Sequence, residues 1–321
     1  MKTLKFYAAA GALAVLAGMG SAAALAADSG AGSGQGQAIV TVVPRNGSET
    51  PVLVQPGDMQ VKVNGKLSTV TGWNALRGNR APLELVILID GSARSSLGTQ
   101  IGDIQSFVKE MPSQARMAIA YMENGRAVFA GPLSSDPAQV LNALHLPVGA
   151  PGQSASPYFC LSDLAHHWPS QDRAARREVL MITDGVDNYS PRFDPEDPYI
   201  GAAITDSVRA GLVVYSFYWK NTGRFDNTLI ASDTGQSNLL EVAQATGGNS
   251  YWEGTGNPVS FEPFFRDLRV RLANQYRLGF SAALKGKAEV QTMSLKMGGP
   301  AARVTAPKMV FVTPAATANG D

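Results

Sequence analysis

The sequence predicts an α/β fold: a doubly wound, mostly parallel sheet with a small β unit drawn from the N- and C-terminal segments. Three features predict it. Two apolar runs end on a carboxylate, Val86-Ile87-Leu88-Ile89 on Asp90 and Val179-Leu180-Met181-Ile182-Thr183 on Asp184. Near-continuous apolar strands of this kind belong to sheets buried on both faces. Between residues 81 and 274 such strands alternate with helical spacing, the pattern of βαβ units. Toward both chain ends the pattern is β only.

The first 27 residues read as a secretory signal peptide. Lys2 and Lys5 form a positive start, 6–25 is apolar and Ala-rich, and Ala24-Leu25-Ala26 is a small-x-small cleavage site. The mature chain is therefore expected to be secreted or periplasmic, with no integral membrane segment after cleavage. Residues 28–37 (DSGAGSGQGQ) read as a flexible linker, because no strand precedes these glycines and no helix follows to make a phosphate loop. Residues 38–80 form an N-terminal β segment. It has a β-branched run over 38–43, an alternating strand over 59–63, a hairpin turn at Asn64-Gly65 and a return strand over 67–70.

The central region, 81–274, opens with the strand 83–89. A helix over 97–111 follows, spaced through Ile101, Ile104, Phe107 and Val108. Strands over 116–121 and 126–130 meet at Asn124-Gly125. Helices are expected over 137–144 and 157–168, the second with Pro157 in its first turn. The strand 179–183 precedes a helix over 200–210 ended by Gly211, then a strand over 212–219. A helix over 239–246 closes on Gly247-Gly248, followed by a short strand at 250–252 and a helix over 261–274. A C-terminal β segment, 275–313, has strands at 276–281, 288–297 and 309–313, and 314–321 is a tail.

Composition narrows the function classes. The 321 residues are 45% hydrophobic and 17% charged, with a net charge of +1 and no basic run, so nucleic acid is not an expected partner. The one cysteine, Cys160, reads as a small buried hydrophobe. His166 and His167 point about 100° apart on a helix, His145 is isolated, and no Gly-x-Ser-x-Gly elbow exists. All three histidines are expected away from the strand-end face, so no catalytic residue is assigned. A metal-assisted hydrolase would need a base beside Ser92.

Ligands of parallel sheets bind outside the carboxyl ends of the strands. Asp90, Ser92, a hydroxyl from Ser154 or Ser156, and Asp184 offer a partial oxygen shell for a hard cation such as Mg²⁺ or Mn²⁺, with an open position for an acidic group of a partner. The loops 186–199 and 220–236 follow strands and bring Tyr189, Phe193, Arg224 and Phe225 to the same face as candidate partner contacts. The plainer reading of Asp90 and Asp184 is a helix cap and a turn.

Asp90-Gly91-Ser92 after an apolar strand, with Thr183-Asp184-Gly185 further on, resembles the von Willebrand factor type A family. The order of parts is similar to the acidobacterial VWFA-related proteins, whose Thr-Gly-Gly turn and Tyr-x-Leu-Gly-Phe strand stand here as Thr246-Gly247-Gly248 and Tyr276-Arg277-Leu278-Gly279-Phe280. The resemblance covers roughly residues 38 to 313. It implies a Rossmann-like type A domain over 81–274 and a metal-ion-dependent adhesion site, written Asp-x-Ser-x-Ser with a distant Thr and a later Asp. By it, Asp90, Ser92, Ser156 and Asp184 are metal ligands, and the chain binds a protein or surface ligand bearing an acidic group. The family's second motif serine is Arg94 here. A guanidinium can pair with both carboxylates in the ion's place, or meet the partner's acid itself. At this level the Mg²⁺/Mn²⁺ site and the Arg94-filled site both stand. So does a structural role in the envelope, through edge strands of the β unit.

Overall fold

The computed structural model describes residues 32–45, 54–77, 82–93, 95–147, 156–187, 189, 198–221, 228–298 and 302–315. The expected signal peptide lies outside them. The described chain opens with β1 (Gly32–Pro44), β2 (Met59–Val63) and β3 (Lys66–Ala75). The centre runs β4 (Leu83–Asp90), α1 (Ile101–Glu110), β5 (Arg116–Glu123), β6 (Arg126–Phe129), α2 (Pro137–Asn142), α3 (Pro157–His166) and β7 (Arg176–Thr183). It continues with α4 (Pro198–Ala210), β8 (Leu212–Tyr218), α5 (Leu229–Thr246), β9 (Ser250–Tyr251) and α6 (Glu262–Ala273). Then come β10 (Gln275–Leu284), β11 (Glu289–Met297), β12 (Ala302–Thr305) and β13 (Met309–Pro314).

The strands form two sheets. One runs β10-β3-β2-β11-β13-β1 and closes on itself through the β1–β10 ladder, a six-stranded antiparallel barrel with β12 added on β1. Val40, Val42, Leu278, Phe280 and Val312 fill it. The other is a mixed sheet ordered β6-β5-β4-β7-β8-β9, in which β6 alone runs antiparallel.

This corrects the expected fold class. Among the described residues eight strand pairings are antiparallel and four are parallel. The described residues form a closed antiparallel barrel beside a mixed sheet with six α-helices, not a doubly wound, mostly parallel sheet with a small β support. The strand–helix alternation of the centre describes that region only. Strands from the two chain ends hydrogen-bond to each other, a non-local pairing that periodicity does not register. Closure also pairs the edges that an assembly role through the β unit would need, leaving β12 beside the barrel.

The expected linker is corrected as well, because residues 32–37 lie in β1. The glycines are there for space. A Cβ on Gly36 would stand 2.5 Å from the Phe280 ring, and one on Gly34 2.6 Å from Val312. Only a bare backbone lets β1 cross the barrel's filling.

In the mixed sheet every residue of β4 is buried. One face packs on α1 and α6 through Phe107, Phe265 and Leu268; the other packs on α3, α4 and α5 through Tyr158, Ile204 and Val242. Asn124 and Gly125, at φ 48° and 75°, make the tight turn that returns β6 beside β5. Sheet and barrel meet at a polar seam. Arg176 donates to the carbonyl of Leu272 at 2.6 Å and to Gln275 Oε1, and Gln275 Nε2 donates to the Tyr215 hydroxyl at 3.2 Å. Behind Arg176, Glu178 is fully buried, and burial pushes its carboxyl from the usual 4.5 up to about 8.

Two outcomes are expected. Gly36→Ala forces Phe280 from its place and destabilises the chain by about 1–3 kcal/mol in urea unfolding; an unchanged midpoint would mean that the barrel yields freely. Folded Glu178 keeps a proton that the unfolded chain has released, so its contribution to stability is complete below pH 4.5 and is lost as pH rises to about 8. Glu178→Gln is therefore expected to narrow the stability difference between pH 5 and pH 8, and an unaltered pH slope would contradict the assignment.

Candidate functional site

β4 and β7 are neighbours whose register pairs Ile89 with Ile182. The next residues, Asp90 and Thr183, therefore arrive side by side at the carboxyl ends of the strands. The Thr183 hydroxyl donates to Asp90 Oδ2 at 2.7 Å. The chain then turns sharply, and the Ser92 N–H and hydroxyl both donate to Asp90 Oδ1, at 2.9 and 2.5 Å. The turn presses on β5, where a Cβ on Gly91 would stand 2.6 Å from the Met122 carbonyl. Asp90, Ser92 and Thr183 are all buried. Asp90 thus accepts three hydrogen bonds, of about four that a carboxylate can take.

Asp184 follows on the same strand end. Its Oδ1 accepts the Val186 N–H at 3.0 Å, while Gly185 turns the chain at φ 68°. Two helices hold this turn. The Tyr158 hydroxyl of α3 donates to the Gly185 carbonyl at 2.7 Å. From α5, Gly235 comes so close that a Cβ there would stand 2.1 Å from the Asp184 carbonyl oxygen. Ser156, also buried, caps α3, its hydroxyl oxygen accepting the Tyr158 N–H at 3.3 Å. The structure therefore gives Ser156 a helix-capping contact, and gives Asp90 a partner, Thr183, that the sequence reading had not assigned. The signal was available: Thr183 is the residue beside Asp90 once the two apolar runs are paired in register.

Asp90, Asp184, Ser92, Ser156 and Thr183 offer oxygen only, the donor chemistry of a hard cation or of a guanidinium partner. Among the described residues no three His, Cys, Asp or Glu side chains gather into a metal-binding group. The Ser92 and Thr183 hydroxyl protons both point at Asp90, and the Thr183 oxygen also accepts the Gly185 N–H at 3.3 Å. In kind the set fits Mg²⁺ or Mn²⁺, with two carboxylates as its only charges.

Arg94, Phe193, Arg224, Phe225 and Ser154 lie outside the described residues. Tyr189 is exposed, with its ring against Phe159 at 5.2 Å and Tyr199 at 5.8 Å. The long loop expected over 220–236 is corrected: α5 already begins at Leu229, capped by the Thr228 side chain. Gly235 disguises this turn of helix, because the close approach to Asp184 requires glycine where helix propensity disfavours it. His145 is corrected too. It stacks on Tyr121 at 4.2 Å, and Tyr121 pairs with Ile89, so this histidine lies toward the strand-end face. His166 meets Asp206 at 3.3 Å and His167 meets Asp163 at 3.1 Å. Cys160 is buried, and burial, with the charges of Asp90 and Asp163, pushes its thiol far above the usual range.

No family model and no curated protein sequence matches the chain. Solved structures to which it is similar include the conserved hypothetical protein BatB from Bacteroides thetaiotaomicron, 14% identical over 60% of this chain and 97% of that one, with a TM-score of 0.44. Proximal thread matrix protein 1 from the mussel byssus, determined with a zinc-occupied MIDAS motif, is 15% identical over 63% of this chain and 48% of that one, at 0.42. The SpRpn10 VWA domain is 12% identical over 56% of this chain and 97% of that one, at 0.35. With TM-scores below 0.5 these are likenesses in outline, and the fold stands on the strand order described above.

Thr183→Val is expected to leave Asp90 Oδ2 without its donor and to cost about 1–3 kcal/mol in chemical denaturation, whereas Thr183→Ser keeps the hydroxyl and most of the stability. Equal losses in both variants would show that the methyl group matters and the hydrogen bond does not.

Proposed function

We propose that this chain is an exported, non-enzymatic binding module of von Willebrand factor type A character. In this reading its strand-end face carries a degenerate metal-ion-dependent adhesion site and meets a protein or surface ligand through an acidic group. The observation that carries it is the cluster of Asp90, Ser92 and Thr183, buried and mutually bonded at the ends of two adjacent parallel strands. Two buried carboxylates at such a place call for positive charge. In this reading that charge is the permanent one of Arg94, which stands four residues beyond Asp90 in sequence where the family's motif has a serine that ligates an ion. The exported location rests on residues 1–27 of the sequence.

The test is a Mg²⁺ and Mn²⁺ titration followed by thermal unfolding. The wild-type midpoint is expected not to move, while Arg94→Ser gains a rise of about 5 °C at a hundredfold excess over Kd. A rise in the wild type that Asp90→Ala abolishes would replace this proposal with a functional metal site. A glutamate-rich peptide is expected to bind the wild type about tenfold more tightly than Arg94→Ala, and equal affinities would remove the guanidinium from the interface.

A further inference from the structure

At the opposite end of the mixed sheet, where it meets the barrel, lies an open cleft of about 660 Å³. Among the described residues five arginines line it, Arg173, Arg176, Arg177, Arg209 and Arg277, with His166, and no aspartate or glutamate does. β7 begins here at Arg176 and ends at Thr183, so the cleft lies about 23 Å from the Asp90 cluster at the usual strand rise. The arginines come from the segment before β7, from β7 itself, from α4 and from β10. Folding therefore assembles this charge from distant parts of the chain.

The arrangement is costly as it stands. Burial disfavours the charged forms of Arg176 and Arg177, and the neighbouring charges of Arg277 and Arg173 add to it, against the attraction of Glu178 for Arg176 and of Glu84 and Asp172 for Arg177. Glu178 stands behind Arg176, and three other nearby acids carry bonds of their own. Asp172 Oδ1 accepts the Ala174 and Ala175 N–H groups, Asp206 meets His166, and Glu84 is bonded by Arg116 and Trp168. Some of the arginines are already aimed. Arg277 donates to the Ala174 carbonyl at 2.8 Å, and Arg177 donates to the Ser170 carbonyl at 3.1 Å and lies over the Trp168 ring. Their donors are not used up. Among the described residues Nε of Arg176 and of Arg177 is buried without a hydrogen-bond partner, and Arg173 and Arg209 make neither ion pair nor side-chain hydrogen bond. Arg209 stands in the last turn of α4, where a cation complements the helix dipole. That accounts for one of the five. Gln35, Gln37 and Thr71 of the barrel add polar groups opposite them.

We propose that this cleft binds a small, multiply charged oxyanion, a phosphate ester or a polycarboxylate. Guanidinium forks match both groups in a bidentate manner, and the volume is that of a small-molecule site. The anion would relieve the repulsion among the arginines and satisfy their open donors.

The test uses the mature chain and isothermal titration at low ionic strength, with pyrophosphate and citrate as separate probes. At least one is expected to bind, more weakly as salt rises, and at least tenfold more weakly to Arg173→Gln/Arg209→Gln. Among the described residues neither of these two side chains carries a hydrogen bond or ion pair, so the variant is expected to unfold within a few degrees of the wild type, Arg209→Gln losing only its interaction with the α4 dipole. Tighter binding of pyrophosphate assigns the site to phosphate esters, tighter binding of citrate to polycarboxylates, and equal binding to oxyanions of either source. Arg94→Ser is expected to leave the binding unchanged, which separates this cleft from the strand-end face. Absence of binding by both probes at millimolar concentration, or equal affinity in wild type and double variant, overturns the proposal.

Discussion

A carboxylate withdrawn from water at the end of a buried strand must be met by donors, and the layout around Asp90 follows from that requirement. Two of its donors come from the turn that Asp90 itself starts, and the third comes from Thr183 on the neighbouring strand. The bond from Thr183 fixes the level at which β4 and β7 end. With that level fixed, Asp184 and Gly185 emerge beside Asp90, and α3 and α5 close on them through the Tyr158 hydroxyl and the bare backbone of Gly235. The face that results is preorganised by backbone and by short side chains, which lose little conformational freedom on folding.

The other end of the sheet meets the opposite problem. There the barrel lies over the starts of β7 and β8, and the seam is polar. Arg176, Gln275 and Tyr215 exchange hydrogen bonds across it, and Glu178 sits behind them in a place that disfavours its charge. Positive charge gathers at this seam, with Glu178 beside Arg176 and with Asp172, Asp206 and Glu84 bonded to other groups. The molecule thus carries carboxylates where the parallel strands end and guanidinium groups where they begin, a polarity that the net charge of +1 conceals.

Much of the centre was legible because it follows local rules. Four consecutive apolar residues before Asp90, and four followed by Thr183 before Asp184, gave β4 and β7. Asn64-Gly65 and Asn124-Gly125 gave turns, and each takes the positive φ values that those residues tolerate. Pro157 gave the start of α3, and the Ser156 side chain makes a cap there that the sequence had suggested only as a ligand hydroxyl. The failures share a cause. Gly34 and Gly36 read as linker and Gly235 as loop, yet each marks a place where another part of the chain leaves no room for a Cβ. The barrel was missed as a closed sheet because β1 pairs with β10, more than two hundred residues away, and spacing within either segment carries no trace of that ladder.

Sequence therefore settled what depends on neighbours along the chain: which runs are buried strands, which turns are tight, and that two acids terminate parallel strands. Partnership across the chain came from the folded state alone. Asp90 found Thr183 through register, Gly235 met Asp184 through helix docking, and five arginines from separate elements came to line one cleft. Local pattern reflects burial and backbone preference residue by residue, whereas hydrogen-bond partners and charge clusters depend on distances that exist only after strands have paired and helices have packed.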